Sequence, residues 1–159
     1  MTHITLITVG SLKEEYLRAA AREYEMRLSG LAAFSHIELS EERIRDEDDR
    51  TAVAAALCAE GKRIIAKIPE GAYTVALCVE GKQYESPELA ALLAERTAYS
   101  GRLCLIIGSS HGLSPEVKAR ADLRLSVSKL TFPHQLMRVM LLEILYRCFA
   151  INAGKRYHK

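Results

Sequence analysis

The chain has 159 residues, of which 49% are hydrophobic and 26% charged, with a net charge of +2. That size suits a single domain, 1–159, with one core, and the composition is that of an ordinary soluble globular protein. No apolar run reaches the roughly 18 residues that a membrane span needs.

The opening M-T-H-I-T-L-I-T-V-G lacks a basic segment and a small-residue cleavage site. It therefore reads as a first strand rather than a signal peptide, and the expected location is cytoplasmic. The small net charge is unevenly spread. Between Lys118 and Lys159 there are nine basic and two acidic residues, +7 for that quarter and −5 for everything before it. Such asymmetry points to a polyanionic partner at the C-terminal end, with a solvated basic face and a ragged tail as the plain alternative. The four cysteines, Cys58, Cys78, Cys104 and Cys148, lie apart in apolar stretches with no C-x-x-C spacing. They are expected to be buried core thiols, and no metal site is expected.

His3 to Val9 is rich in β-branched residues and reads as a strand closed by Gly10. Ser11 and Glu14 have the spacing of a capping box for a helix reaching about Leu28. Phe34 to Leu39 is a second short strand, followed by an acidic connector, E-E-R-I-R-D-E-D-D-R, over 41–50. The connector lacks the glycine and regular Asp spacing of a cation loop. A helix is expected from about Thr51 to Lys67.

Ala72 to Val79 is a continuous apolar run, suited to a strand covered on both faces, and Glu80-Gly81 reads as the turn that ends it. Ser86 and Pro87 have the residue types of a helix cap and first helical position. The next buried strand is Arg102 to Ile107, then a short helix capped at Ser114-Pro115, then a strand from Leu123 to Val127. Pro133 opens the last helix, which runs to about Gly154, and Thr131 is a candidate cap for it. Strands alternating with helices predict an α/β fold, a mainly parallel sheet with helices on both faces.

The last helix is apolar around nearly its whole circumference, from Leu136 and Met137 through Leu145 to Phe149. Packing on a sheet uses only one stripe of a helix. The surplus reads as a subunit interface in a homodimer, against the competing reading of a helix sunk centrally in its own domain.

Two loops have the composition of a ligand site. G-S-S-H-G-L-S follows Ile107, beyond the carboxyl end of a strand, where α/β sheets bind ligands. Its spacing matches neither the P-loop nor the dinucleotide fingerprint. V-S-K-L-T-F-P, from Val127, offers backbone groups for hydrogen bonding and apolar walls at Leu130 and Phe132. His134 and Arg138 share a helix face and could grip a phosphate or polarise a base, or merely satisfy the helix start and its partner. The ending G-K-R-Y-H-K interleaves cations with an aromatic ring and an imidazole, a combination suited to phosphate contact and base stacking.

V-G-S-L-K-E-E-Y, I-I-G-S-S-H-G-L, L-S-V-S-K-L-T-F-P-H-Q-L-M-R-V and the terminal R-Y-H-K, in that order, closely resemble one family over essentially the whole chain. It is the bacterial 23S rRNA pseudouridine-1915 N3-methyltransferases, small members of the SPOUT class. The chain departs mildly at Ser109-Ser110, where many relatives have a second glycine or another small residue.

The resemblance implies a SPOUT-type fold with a C-terminal trefoil knot, a homodimer, and S-adenosyl-L-methionine as methyl donor. It implies donor contacts at Leu77, Gly108, Val127, Ser128, Lys129, Leu130, Thr131 and Phe132. The substrate it implies is a pseudouridine of 23S rRNA within the assembled ribosome, with no membrane and no metal involved. Pseudouridine N3 must lose a proton as it attacks, so a proton acceptor or a stabiliser of negative charge is wanted. Arg138 is then the candidate for charge stabilisation, His158 for orientation or proton acceptance, and Tyr157 for stacking. A non-catalytic ribosome-binding or assembly factor is the competing function.

Overall fold

The computed structural model describes residues 1–157. Five strands and five helices follow in order: β1 His3–Val9, α1 Glu15–Ser29, β2 Ala33–Leu39, α2 Arg50–Ile65, β3 Tyr73–Lys82, α3 Ser86–Thr97, β4 Arg102–Ile107, α4 Pro115–Arg120, β5 Leu123–Leu125 and α5 His134–Asn152. The sheet order is β2-β1-β4-β3-β5, and every pairing is parallel. The predicted α/β architecture is thus observed.

Both faces of the sheet are covered, as alternation along the central strands requires. Leu103 and Leu105 of β4 pack with Leu141 and Leu145 of α5 and Leu93 of α3. Cys104 and Ile106 point the other way, toward Ile64 of α2 and Val117 of α4. One layer therefore holds α1, α3 and α5, and the opposite layer holds α2 and α4. Of the predicted core thiols, Cys104 and Cys148 are buried; Cys58 and Cys78 are only half-buried.

α5 packs against both α1 and α3. Its buried residues include Leu141, Leu142, Leu145 and Cys148. Much of its apolar surface is therefore used inside its own domain. Leu136 at its start remains 37% exposed, and Val139, Met140 and Ile144 are half-buried.

Several helix starts differ from expectation. α1 begins at Glu15 with Glu14 in the cap position and no side-chain cap bond, so Ser11 caps nothing. The start is held by Arg18, which donates to the carbonyls of Leu12 and Lys13. α3 begins one residue early, at Ser86, and the Glu88 carboxylate accepts from the Glu85 backbone N–H at 3.0 Å. Asp49, at the end of the acidic connector, caps α2 by accepting from the backbone of Thr51 and Ala52. Ser114 caps α4 as expected. Pro133 itself occupies the cap position of α5, and Thr131 is exposed and does not cap.

The largest departure is at Glu80-Gly81, which is not a turn. β3 runs through it to Lys82, where it pairs again with Leu125 after an irregularity. A Cβ at Gly81 would lie 2.7 Å from the Arg124 carbonyl oxygen. Glycine is there because two backbones pass in contact, not because the chain reverses.

Candidate functional site

The carboxyl ends of β3, β4 and β5 meet the loops 108–114 and 126–133 around a cavity of about 750 Å³. That is within the range of pockets for drug- and cofactor-sized molecules, about 300–1,000 Å³. Leu77, Ile107, Leu113 and Leu125 supply apolar wall, and Ser128, Thr131 and Phe132 close another side.

Each loop is held in shape by its own bonds. In the first, the Gly112 N–H donates to the Ser109 carbonyl at 2.9 Å. A Cβ at Gly108 would strike the Gly112 carbonyl, so the turn admits only glycine there. Ser109, itself buried, donates from its hydroxyl to Glu60 Oε1 at 3.1 Å. Glu60 is a buried carboxylate of α2, and its other oxygen accepts from the Glu42 N–H at 2.9 Å. The Glu60 side chain thus joins the cavity loop to the acidic connector. Nothing local in the sequence marks it, because its partners are 18 and 49 residues away.

In the second loop, the Ser126 N–H donates to the Lys82 carbonyl at 3.0 Å, which ties the loop to the extended end of β3. The Ser126 hydroxyl donates to the Ser128 carbonyl, and the Ser128 hydroxyl accepts from the Leu130 N–H, both at 3.0 Å.

Of the expected contact residues, Leu77, Gly108, Val127, Ser128, Leu130, Thr131 and Phe132 all line the cavity. Lys129, between them, is exposed and does not. The sequence reading missed Cys78, Glu80, Lys118 and Met137, which also line it.

A smaller polar cavity of about 250 Å³ adjoins at the ends of β1 and β2, lined by Gly10, Lys13, Glu38, Glu41 and Gln135. His134 lines both cavities. Burial lowers its pKa, with the nearby Glu41 carboxylate opposing, so the imidazole is neutral at physiological pH.

Arg138 lines neither, but its bonding partners Gly10 and Glu38 line the smaller one. It is 4% exposed, donates to the Gly10 carbonyl at 2.6 Å and pairs with Glu38 at 3.0 Å. Its guanidinium is committed to holding α5 against β1 and β2. Tyr157 does not line the large cavity either. Its hydroxyl donates to Glu143 Oε1 at 3.3 Å, its ring meets Tyr146 edge-on at 4.7 Å, and Arg147 lies over it at 4.9 Å. Arg147 in turn pairs with Glu143 at 2.6 Å. His158 lies outside the described residues. The expected catalytic set is therefore not brought together within one protomer among the described residues.

The basic excess is partly consumed by pairing, since Lys118, Arg138 and Arg147 have carboxylate partners. Arg120, Arg124, Lys129, Lys155 and Arg156 are exposed. Among the described residues no group of three or more His, Cys, Asp or Glu side chains could hold a metal ion, and no helix is long and apolar enough to cross a membrane.

Comparison with known proteins narrows what such a cavity serves. A relative from Streptococcus thermophilus (strain ATCC BAA-491 / LMD-9), named ribosomal RNA large subunit methyltransferase H, is 46% identical over 158 residues, 98% of this chain and 99% of its own. Proteins with the same name from Clostridium novyi (strain NT) and Clostridioides difficile (strain 630) are 45% and 42% identical, each over 99% of both chains. A solved structure, that of a probable methylase family protein from Haemophilus influenzae Rd KW20, superposes with a TM-score of 0.54 at 16% identity, covering 99% of this chain and 70% of that one, and supports the fold alone. The family model described as "Predicted SPOUT methyltransferase" matches residues 2–158. With that match and relatives of this similarity over the full length, the chain belongs to the SPOUT methyltransferase family.

Proposed function

We propose that this protein methylates large-subunit ribosomal RNA, taking the methyl group from S-adenosyl-L-methionine and placing it on N3 of a pseudouridine. The observation that carries the reading is the cavity itself. Seven residues expected to contact the donor line one space of about 750 Å³ at the carboxyl edge of the sheet. Its make-up fits that donor: apolar wall for an adenine, neutral hydroxyls and backbone groups for its edge and the ribose, and one charged pair at the rim. The relatives' printed names supply the RNA class.

The donor, when bound, supplies an electrophilic methyl group on a sulfonium sulfur. The protein's part is alignment and exclusion of water. Gly108 allows the loop to close tightly, and Ser109 is held by Glu60 so that the loop presents a fixed wall. His134, neutral and standing between the two cavities, is placed to accept a proton from a base entering by the smaller one. Arg138 acts by fixing the start of α5, and hence His134, through Gly10 and Glu38.

The remaining expected parts belong to a homodimer. Tyr157 is docked on the protomer's own α5 and does not line its own cavity, which favours its serving the partner's site. The half-exposed apolar residues of α5 supply the seam. The threading of a trefoil knot is supported by the passage of residues 124–126 in backbone contact with Gly81 and Lys82. Ribosomal RNA as substrate puts the work in the cytoplasm.

The test is to incubate the protein with radiolabelled S-adenosylmethionine and ribosomes from cells lacking this modification. Label in 23S rRNA at a pseudouridine supports the reading. Ribosome binding without label would instead make the protein an assembly factor, and binding of neither ribosome nor donor would overturn both.

A further inference from the structure

Among the described residues that line the large cavity, Lys118 and Glu80 are the only Lys, Arg, Asp or Glu side chains. Lys118 lies on α4 and Glu80 on the extended end of β3, and the ammonium donates to Glu80 Oε1 across the rim. Neither is sealed away: the Lys118 side chain is 25% exposed and that of Glu80 56%. The ammonium holds the Glu80 carboxyl below the usual carboxylate range. Water competes for charges this open, so their mutual bond contributes little stability and is readily exchanged.

We infer that Lys118 and Glu80 bind the amino-acid end of the methyl donor, Lys118 taking its α-carboxylate and Glu80 its α-ammonium. The inference rests on the reading of this cavity as the S-adenosylmethionine site. That donor has one end that tolerates apolar walls, the adenine, and one that is a zwitterion. A zwitterion leaves water without penalty only where each charge meets its opposite. The apolar walls at Leu77, Ile107 and Leu125 suit the first end, and the Lys118–Glu80 pair is the one place on the lining with both signs. On binding, one protein ion pair is replaced by two protein–ligand pairs, so the four charges alternate in sign and none is left unpaired.

The competing role is a clasp that merely holds α4 to β3 and shapes the pocket for any ligand. Titration calorimetry with three probes separates the two: S-adenosylmethionine, its decarboxylated analogue, which keeps the amine, and 5′-methylthioadenosine, which has neither charge. Lys118→Met should weaken S-adenosylmethionine about tenfold or more, the loss of one charge-assisted bond, while leaving the other two ligands within about twofold. Glu80→Gln should weaken both amine-bearing ligands and spare methylthioadenosine. The charge-swapped Lys118→Glu/Glu80→Lys protein keeps a clasp, and so its melting temperature, but presents the wrong sign to each end and should lose S-adenosylmethionine selectively. Equal losses for all three ligands, or no loss, would overturn the assignment. If the unmodified protein bound none of the three, the donor-site reading would fall instead.

Discussion

Arg138 and Glu38, a hundred residues apart, form a 3.0 Å ion pair in which the guanidinium is almost completely buried and also donates to the Gly10 carbonyl. This bond joins the first turns of α5 to the carboxyl ends of β1 and β2. Truncation would leave a carboxylate and a carbonyl without their donor. Arg138→Ala is expected to cost about 1–3 kcal/mol, less than for a fully buried pair because the Glu38 side chain is 44% exposed and water can replace the guanidinium there. Urea unfolding measures it. Arg138→Lys should recover part of the stability, because one ammonium cannot reproduce both bonds at the same geometry.

Glu60→Ala removes the acceptor shared by Ser109 and the Glu42 N–H. The stranded donors should lower stability by about 1–3 kcal/mol. The change should also raise the KM for the donor more than it lowers kcat, since the disturbed element is the cavity loop. Steady-state kinetics at saturating ribosomes separates the two effects.

Gly108→Ala places a methyl group against the Gly112 carbonyl, so the loop must open. Donor binding should be lost, by calorimetry, even where circular dichroism shows the fold retained. The same substitution at Gly71 meets nothing within 4 Å, although its φ of +70° still imposes backbone strain, and donor binding there should be unaffected.

His36 and His134 both have pKa values lowered, chiefly by burial and with Arg138 contributing, from the unfolded value of 6.5. As pH falls, the unfolded chain therefore takes up protons before the folded one. Stability present above pH 6.5 should decline below it, with a melting temperature that falls as the pH drops below that value. The His36→Asn/His134→Asn protein should show a shallower decline.

Burial pushes the thiols of Cys104 and Cys148 up to about 12. Neither should react with iodoacetamide at pH 8 until the protein unfolds. Cys78 lines the cavity and is only half-buried. It should alkylate slowly in the native protein, and S-adenosylmethionine should protect it. Peptide mapping by mass spectrometry reads all three.

Elements set by nearby residues were legible in the sequence. β4 occupies the predicted Arg102–Ile107, where every residue after Arg102 is apolar and the strand is covered on both sides. Ser114 caps α4 as its spacing with Pro115 suggests. The two loops that line the large cavity were legible too, because their residue types suit a ligand site and their order matches a family. What failed was whatever depended on distant partners. Glu80-Gly81 has the composition of a turn, yet its glycine answers to Arg124 and Leu125, over forty positions on. Arg138 looked available for chemistry because Glu38 and Gly10 cannot be seen from its neighbours in sequence. Lys118 and Glu80 went unnoticed for the same reason.

The docking of α5 between α1 and α3 also bears on when the protein can fold. Leu141, Leu142 and Leu145, fully buried at the heart of one layer, stand far along the chain from the α1 residues that they cover. Until they dock, α1 and α3 have a large apolar surface with nothing to cover it, and the edge of β3 waits for β5. That layer therefore closes only when distant segments of the chain meet, and such non-local closure is slow and leaves apolar surface open meanwhile.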